Sequence, residues 1–289
     1  IGCLPAFQSN QLIQITGDLA FSEIENFNIF GGLVLAGITG IVVIGGLKRI
    51  AEVATFLVPL MGSIYFGAML IALTLNLDQV FPAFKLILVD AFNGTAIAGG
   101  TFFGVLIYGV RRGAFSNEAG MGTESLVHGV AKVSDPVKQG LVAMTGPIFD
   151  TLIICTATAL MILISGVWET STSQGVTLTA EAFSMLLGNF GGFILFICVI
   201  CFGLSTIFTY SYYGASCSRF LFGKFGMKFY IYLYIFSIFI YSIVPIDIAI
   251  NIADGAFAMM AIPTLVSALW LAPKVMQASK NYFKLIDSY

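Results

Sequence analysis

Between Gly113 and Thr123 the chain reads GAFSNEAGMGT, which sets three glycines, two hydroxyls, an amide and a carboxylate within eleven positions. Together these residue types support the binding of a small zwitterion. Glycines free the backbone to turn. N–H groups at a helix N-terminus take a carboxylate, while carbonyls and the side chains of Ser116 and Asn117 take an ammonium. In an apolar chain such a stretch is costly, because a helix interrupted within a membrane must satisfy its freed backbone groups from protein, water or ligand. The plainer alternative is a glycine-rich helix crossing joined by polar groups. The density of polar groups, with Glu118 among them, favours a site.

Other residues with chemistry to offer are sparse. Asp150 lies about eleven residues into an apolar run, close to mid-depth of a bilayer. It is a candidate ion ligand or proton carrier, or a structural partner for an arginine or for broken backbone. Arg111 and Arg112 fall roughly 20 Å along a helix entered near Ala98, where pairing with Glu118 or Asp150 would lower their cost. Glu118 and Asp150 are therefore coupling or gating candidates. Ser205, Thr206, Thr209 and Tyr213 share one helical face. The adjacent hydroxyls of Ser205 and Thr206 suit Na+, giving it two neutral oxygens, but they serve equally well as bonds across helices or to their own carbonyls. Gln8 reaches a ligand or caps a neighbour. His128, the single histidine, reads as a solvated surface residue. There is no nucleophile with base and orienter, no phosphate-cradling loop and no metal-ligand cluster, so an enzyme is unsupported.

The elements that must hold these residues are membrane helices. The 289 residues are 58% hydrophobic and 10% charged, against about 25% charged in soluble domains, and apolar runs of roughly 20 residues recur along the chain. We expect one all-α integral membrane unit over residues 1–289, in contact with lipid and without nucleic acid, since the basic residues are scattered. The five cysteines suggest no disulfide framework, and Cys198 with Cys201 is an i,i+3 pair on a span. The chain starts at Ile1 partway through a polar-capped apolar segment, so residues 1–15 read as the end of a spanning helix that emerges at 16–28. Spans are expected at 29–46, 56–77, 139–167, 190–213, 229–246 and 256–271. An interfacial helix and loop is expected at 78–100, a broken segment at 98–131, a polar loop with a short helix at 168–184, and a surface helix from Lys274.

Charge gives the orientation. With the loop of Lys48 and Arg49 cytoplasmic, alternation puts ten of the 13 basic residues on that face, including Lys132, Lys224 and the tail from Lys274. Lys85 falls opposite, and Arg111 and Arg112 lie within the broken segment. Asp18, Glu23, Glu25, Asp78, Asp90, Glu169 and Glu181 also fall opposite, which matches the positive-inside rule.

The run from Tyr108, YGVRRGAFSNEAGMGTESLVHGVAKVSDPVKQGLVAMTGPIFDTLIICTATALMILISG, closely resembles the alanine or glycine:cation symporter family, also called sodium:alanine symporters. GGLKRIAEV at Gly45, STIFTYSYYG at Ser205 and AIPTLVSALWLAPKV near the end are similar to it too. The resemblance covers essentially the whole chain. It implies a leucine-transporter-like fold of two inverted five-helix repeats, here from late in the third core helix to the tenth, with the broken segment as the sixth. It implies symport of alanine or glycine with Na+ by alternating access, across the plasma membrane of a bacterial or archaeal cell. A proton-coupled carrier of the same fold and a non-transporting membrane sensor or assembly subunit are the alternatives. By resemblance Gln8, Phe115, Ser116, Asn117 and Gly120 face the substrate, and Ser205 and Thr206 the sodium ion. No cofactor is implied. Glu124 and Ser125 stand where members usually carry alanine and proline, which bears on the cytoplasmic gate. The first two core helices, with half of both sites, would precede Ile1, so this stretch alone is not expected to transport.

Overall fold

The computed structural model describes residues 4–21, 24–92 and 102–287, and every regular element among them is helical. In chain order these are α1 Leu4–Ala20, α2 Phe27–Ile44, α3 Gly46–Leu75, α4 Leu77–Ala91, α5 Phe102–Asn117, α6 Thr123–His128 and α7 Pro136–Ala143. A short turn leads to a π-helical stretch, Ile148–Cys155, and then come α8 Thr156–Ser165, α9 Val167–Thr170, α10 Val176–Leu187, α11 Asn189–Ile243 and α12 Ile246–Asp287. Among the described residues, five helical stretches are long and apolar enough to cross a membrane: Phe27–Ile44, Arg49–Leu75, Pro136–Ser165, Phe190–Ile243 and Ile246–Ile286. The chain divides into two compact units. The first comprises Ile1–Phe92 and Ala157–Ala253, the second Asn93–Thr156 and Asp254–Tyr289.

The first unit is built on α11. At 55 residues this helix would run about 80 Å at 1.5 Å per residue, far more than the roughly 30 Å of a bilayer core. Gly223 resolves the excess: its φ of 67° and ψ of −158° turn the chain back, in a backbone region essentially reserved for glycine. The two spans expected at 190–213 and 229–246 are the two arms of this element, and the stretch between them is helical rather than loop. The arms are tied where Tyr234 Oη donates to the Ile207 carbonyl at 2.6 Å and where the Tyr230 ring lies against Gly214, leaving no room for a Cβ. Leu12 and Ile13 of α1, Phe27, Leu35 and Val43 of α2, and Ile207, Phe208, Tyr234 and Ile238 of α11 form the buried core.

Helix α1 extends to Ala20, five residues beyond the expected end, and its buried amides explain why it stays ordered. Asn10 Nδ2 donates to the Val244 carbonyl at 2.7 Å and Gln11 Oε1 accepts from the Val176 N–H at 2.9 Å, so each satisfies backbone left open at the end of another helix. The polar run at 168–184 is mostly helix, in α9 and α10. The final span and the surface tail form one helix, α12, which carries Pro263 and Pro273 inside it. The interfacial helix expected at 78–100 is α4; residues 93–101 lie outside the described residues.

Candidate functional site

Helix α5 ends at Asn117 and α6 begins at Thr123, so the glycine-punctuated stretch is a break. Three residues turn the chain there: Glu118 with φ 53°, Gly120 with φ 80° and Gly122 with φ 88°. Gly113, which reads in the sequence as part of the same flexible stretch, is an ordinary residue of α5. Asn117 closes the end of α5 with a local turn in which its Oδ1 accepts the Ala119 N–H at 2.9 Å, a geometry suited to its short amide. At the start of α6, Thr123 is buried and its Oγ1 has no partner. Gly122 permits a close approach as well as a turn: a Cβ there would stand 2.7 Å from Thr264 Oγ1 on α12.

Ser116 and Asp150 come together. Ser116 Oγ donates to Asp150 Oδ2 at 2.5 Å. Cys155 Sγ lies 3.2 Å from the same Oγ, and with the serine proton engaged on the carboxylate the thiol is the donor. Asp150 and Cys155 both belong to the π-helical stretch that directly follows Pro147. Proline lacks an N–H and crowds the carbonyl one turn back, which favours such widening. Of the roles open to Asp150, pairing with an arginine is not the one seen; Ser116 is bonded to its carboxylate instead. The arginines find a carboxylate that sequence reasoning missed: Arg112 Nη2 lies 2.6 Å from both Asp254 oxygens, and Arg111 Nη1 lies 3.6 Å from Asp254 Oδ2. Asp254 sits in an apolar run, and the signal that would have found it is the need of two intramembrane cations for an equally deep anion. Phe115 packs edge-on against Phe257 with ring centroids 5.2 Å apart. All these contacts lie within the second unit.

Gln8, Ser205 and Thr206 belong to the first unit. Gln8 and Thr206 are half-buried and Ser205 is buried. Ser205 Oγ donates to the Phe202 carbonyl at 3.0 Å, and Thr209 Oγ1 donates to the Ser205 carbonyl at 2.8 Å. The back-bonding reading of this face therefore holds for Ser205 and Thr209. The capping role open to Gln8 is taken by its neighbours Asn10 and Gln11. His128 is half-buried, with Nδ1 2.6 Å from Gln139 Nε2 on α7, so it joins α6 to α7 instead of standing free in solvent.

Five helical stretches among the described residues that are long and apolar enough to cross a membrane, beside a helix interrupted at a polar turn, are the pattern of a multi-pass membrane protein. The sequence model described as "Sodium:alanine symporter family" matches residues 1–288. The chain is 34% identical over 287 residues to the sodium/alanine symporter AgcS of Methanococcus maripaludis, covering 97% of this chain and 63% of that protein. It is 35% identical over 273 residues to the transporter YflA of Bacillus subtilis, covering 92% and 58%, and 33% identical over 275 residues to the probable sodium/glutamine symporter GlnT of the same organism, covering 94% and 58%. It spans about 60% of the length of these relatives. The chain belongs to the sodium:alanine symporter family, whose members are transporters rather than enzymes.

Proposed function

We propose that this chain is the greater part of a carrier that moves a small neutral amino acid, alanine or glycine, together with Na+. The observation that carries the reading is the break at 118–122, with its left-handed turns at Gly120 and Gly122. The substrate is held there by Phe115, Ser116, Asn117 and Gly120; Gln8 keeps the substrate-facing role that the family resemblance implies for it, and Na+ takes oxygens from Ser205 and Thr206. The chain forms core helices three to ten of a leucine-transporter-like inverted-repeat bundle and works as a single transport unit in the plasma membrane. The loops of Lys48, Lys132 and Lys224 and the C-terminal tail face the cytoplasm. Transport proceeds by alternating access, and Na+ raises substrate affinity through reciprocal linkage. The names of AgcS and GlnT support sodium coupling and leave alanine and glutamine as competing substrates.

A second reading rests on Asp150. It is a carboxylate in a spanning helix with no basic partner among the described residues and a hydroxyl at 2.5 Å, an arrangement suited to a proton carrier. Uptake of alanine, glycine and glutamine into vesicles holding the full-length protein, with protons clamped, decides between the two. Sodium coupling requires that an inward Na+ gradient drive accumulation, and the proposed substrate requires that alanine or glycine accumulate in preference to glutamine. Equal uptake with and without that gradient refutes it, and accumulation driven by a pH step in sodium-free buffer establishes the proton reading.

A further inference from the structure

Resting on the substrate site just proposed, we propose that Asp254 and Arg112 are positioning residues that hold Phe115 in place at the break. Tyr108, Arg112 and Phe115 follow i, i+4, i+7 spacing on α5 and so form one stripe. The Arg112 guanidinium carbon stands 5.5 Å from the Tyr108 ring centroid and 5.1 Å from that of Phe115, so the cation is packed against both rings. Among the described residues its polar anchor is Asp254, through Nη2, while its buried Nε has no partner there. Asp254 and Arg112 are only 17% and 29% exposed, a setting in which an ion pair and a cation–π contact are screened little. One turn beyond Asp254, Phe257 meets the far edge of Phe115. Farther along α12, Thr264 seats Gly122.

Contact by contact, α12 therefore follows α5 from one turn before the break to its far end. The carboxylate fixes the guanidinium, the guanidinium fixes the Phe115 ring, and Phe115 directly precedes Ser116 and Asn117. Arg111 leans on the same carboxylate oxygen at 3.6 Å from a more exposed position, so Asp254 balances one of two positive charges. The carboxylate acts on substrate only through Arg112 and Phe115.

The test uses the full-length protein in vesicles, comparing Asp254→Asn, Arg112→Lys and the exchanged pair Arg112→Asp with Asp254→Arg. Both single variants are expected to raise the alanine KM at least tenfold while changing the maximal rate less than threefold. The exchanged pair is expected to stay impaired, since it restores the charges but not the stack. Tyr108→Leu, which leaves the ion pair intact, is expected to raise KM about threefold. A readout independent of transport is the maleimide labelling of Cys155, an exposed thiol that contacts Ser116, relative to Cys217, which is likewise exposed but lies outside this cluster. That ratio should rise at least threefold in both single variants. Recovery of the wild-type KM by the exchanged pair, or an unchanged KM in Tyr108→Leu, overturns the proposal and leaves a simple tie between helices. An unchanged Cys155 ratio overturns it even if the protein proves not to carry alanine.

Discussion

Gly122→Ala isolates the turn on which the proposed site depends. At φ 88° and ψ −7° an alanine incurs the left-handed penalty of about 1–2 kcal/mol, and its Cβ would stand 2.7 Å from Thr264 Oγ1, so Thr264 must move as well. Strain alone lowers the population of the native turn by a factor of roughly 5–30. Gly113→Ala is the matched control: the position is helical, has nothing within 4 Å of an added Cβ, and gains about 0.5–1 kcal/mol of helix stability. Thr264→Ala in the Gly122→Ala background relieves the contact but not the backbone strain, so it separates the two costs in a double-mutant cycle. The assay is thermal unfolding of the purified full-length protein beside sodium-driven alanine uptake. Gly122→Ala should unfold at lower temperature and lose at least fivefold in alanine affinity, Gly113→Ala should do neither, and Thr264→Ala should restore part of the loss. Equal behaviour of the two glycine variants would refute the reasoning.

Replacing Ser205 by alanine should raise the half-saturating Na+ concentration about tenfold while leaving the maximal rate near wild type, as a sodium titration of uptake would show; an unchanged titration removes Ser205 from the ion site. Asp150→Asn should preserve sodium-driven uptake if Na+ is the coupling ion and abolish pH-driven uptake if the proton is. Tyr234→Phe deletes the bond to the Ile207 carbonyl that ties the arms of α11 and should cost about 0.5–1.5 kcal/mol, read as a lower unfolding temperature with sodium dependence intact.

The break was legible because glycine at positive φ leaves a mark in composition, and two of the three glycines in the stretch are used in that way. Gly113 shows the limit of that signal: glycine permits the turn but does not require it. Gly223 shows the converse, since a single residue reverses α11 within a basic stretch that reads as loop. The π-helical stretch keeps the hydropathy of an α-helix, so the widening at Asp150 left no periodic trace. Asp254 was missed because it falls between the spans expected at 229–246 and 256–271, and only its pairing in three dimensions with Arg112 gives it meaning. The amides of α1 stood out as polar, but Asn10 and Gln11 proved to serve backbone groups 165 or more positions away in sequence, which no local pattern reveals.

Alanine binding at saturating Na+ to purified full-length protein, wild type against Asn117→Leu, tests most directly that the turn between α5 and α6 is where substrate sits. The substitution removes the amide that closes α5 while roughly keeping its volume. The account requires affinity to fall at least tenfold with the fold retained; an unaltered Kd would contradict it.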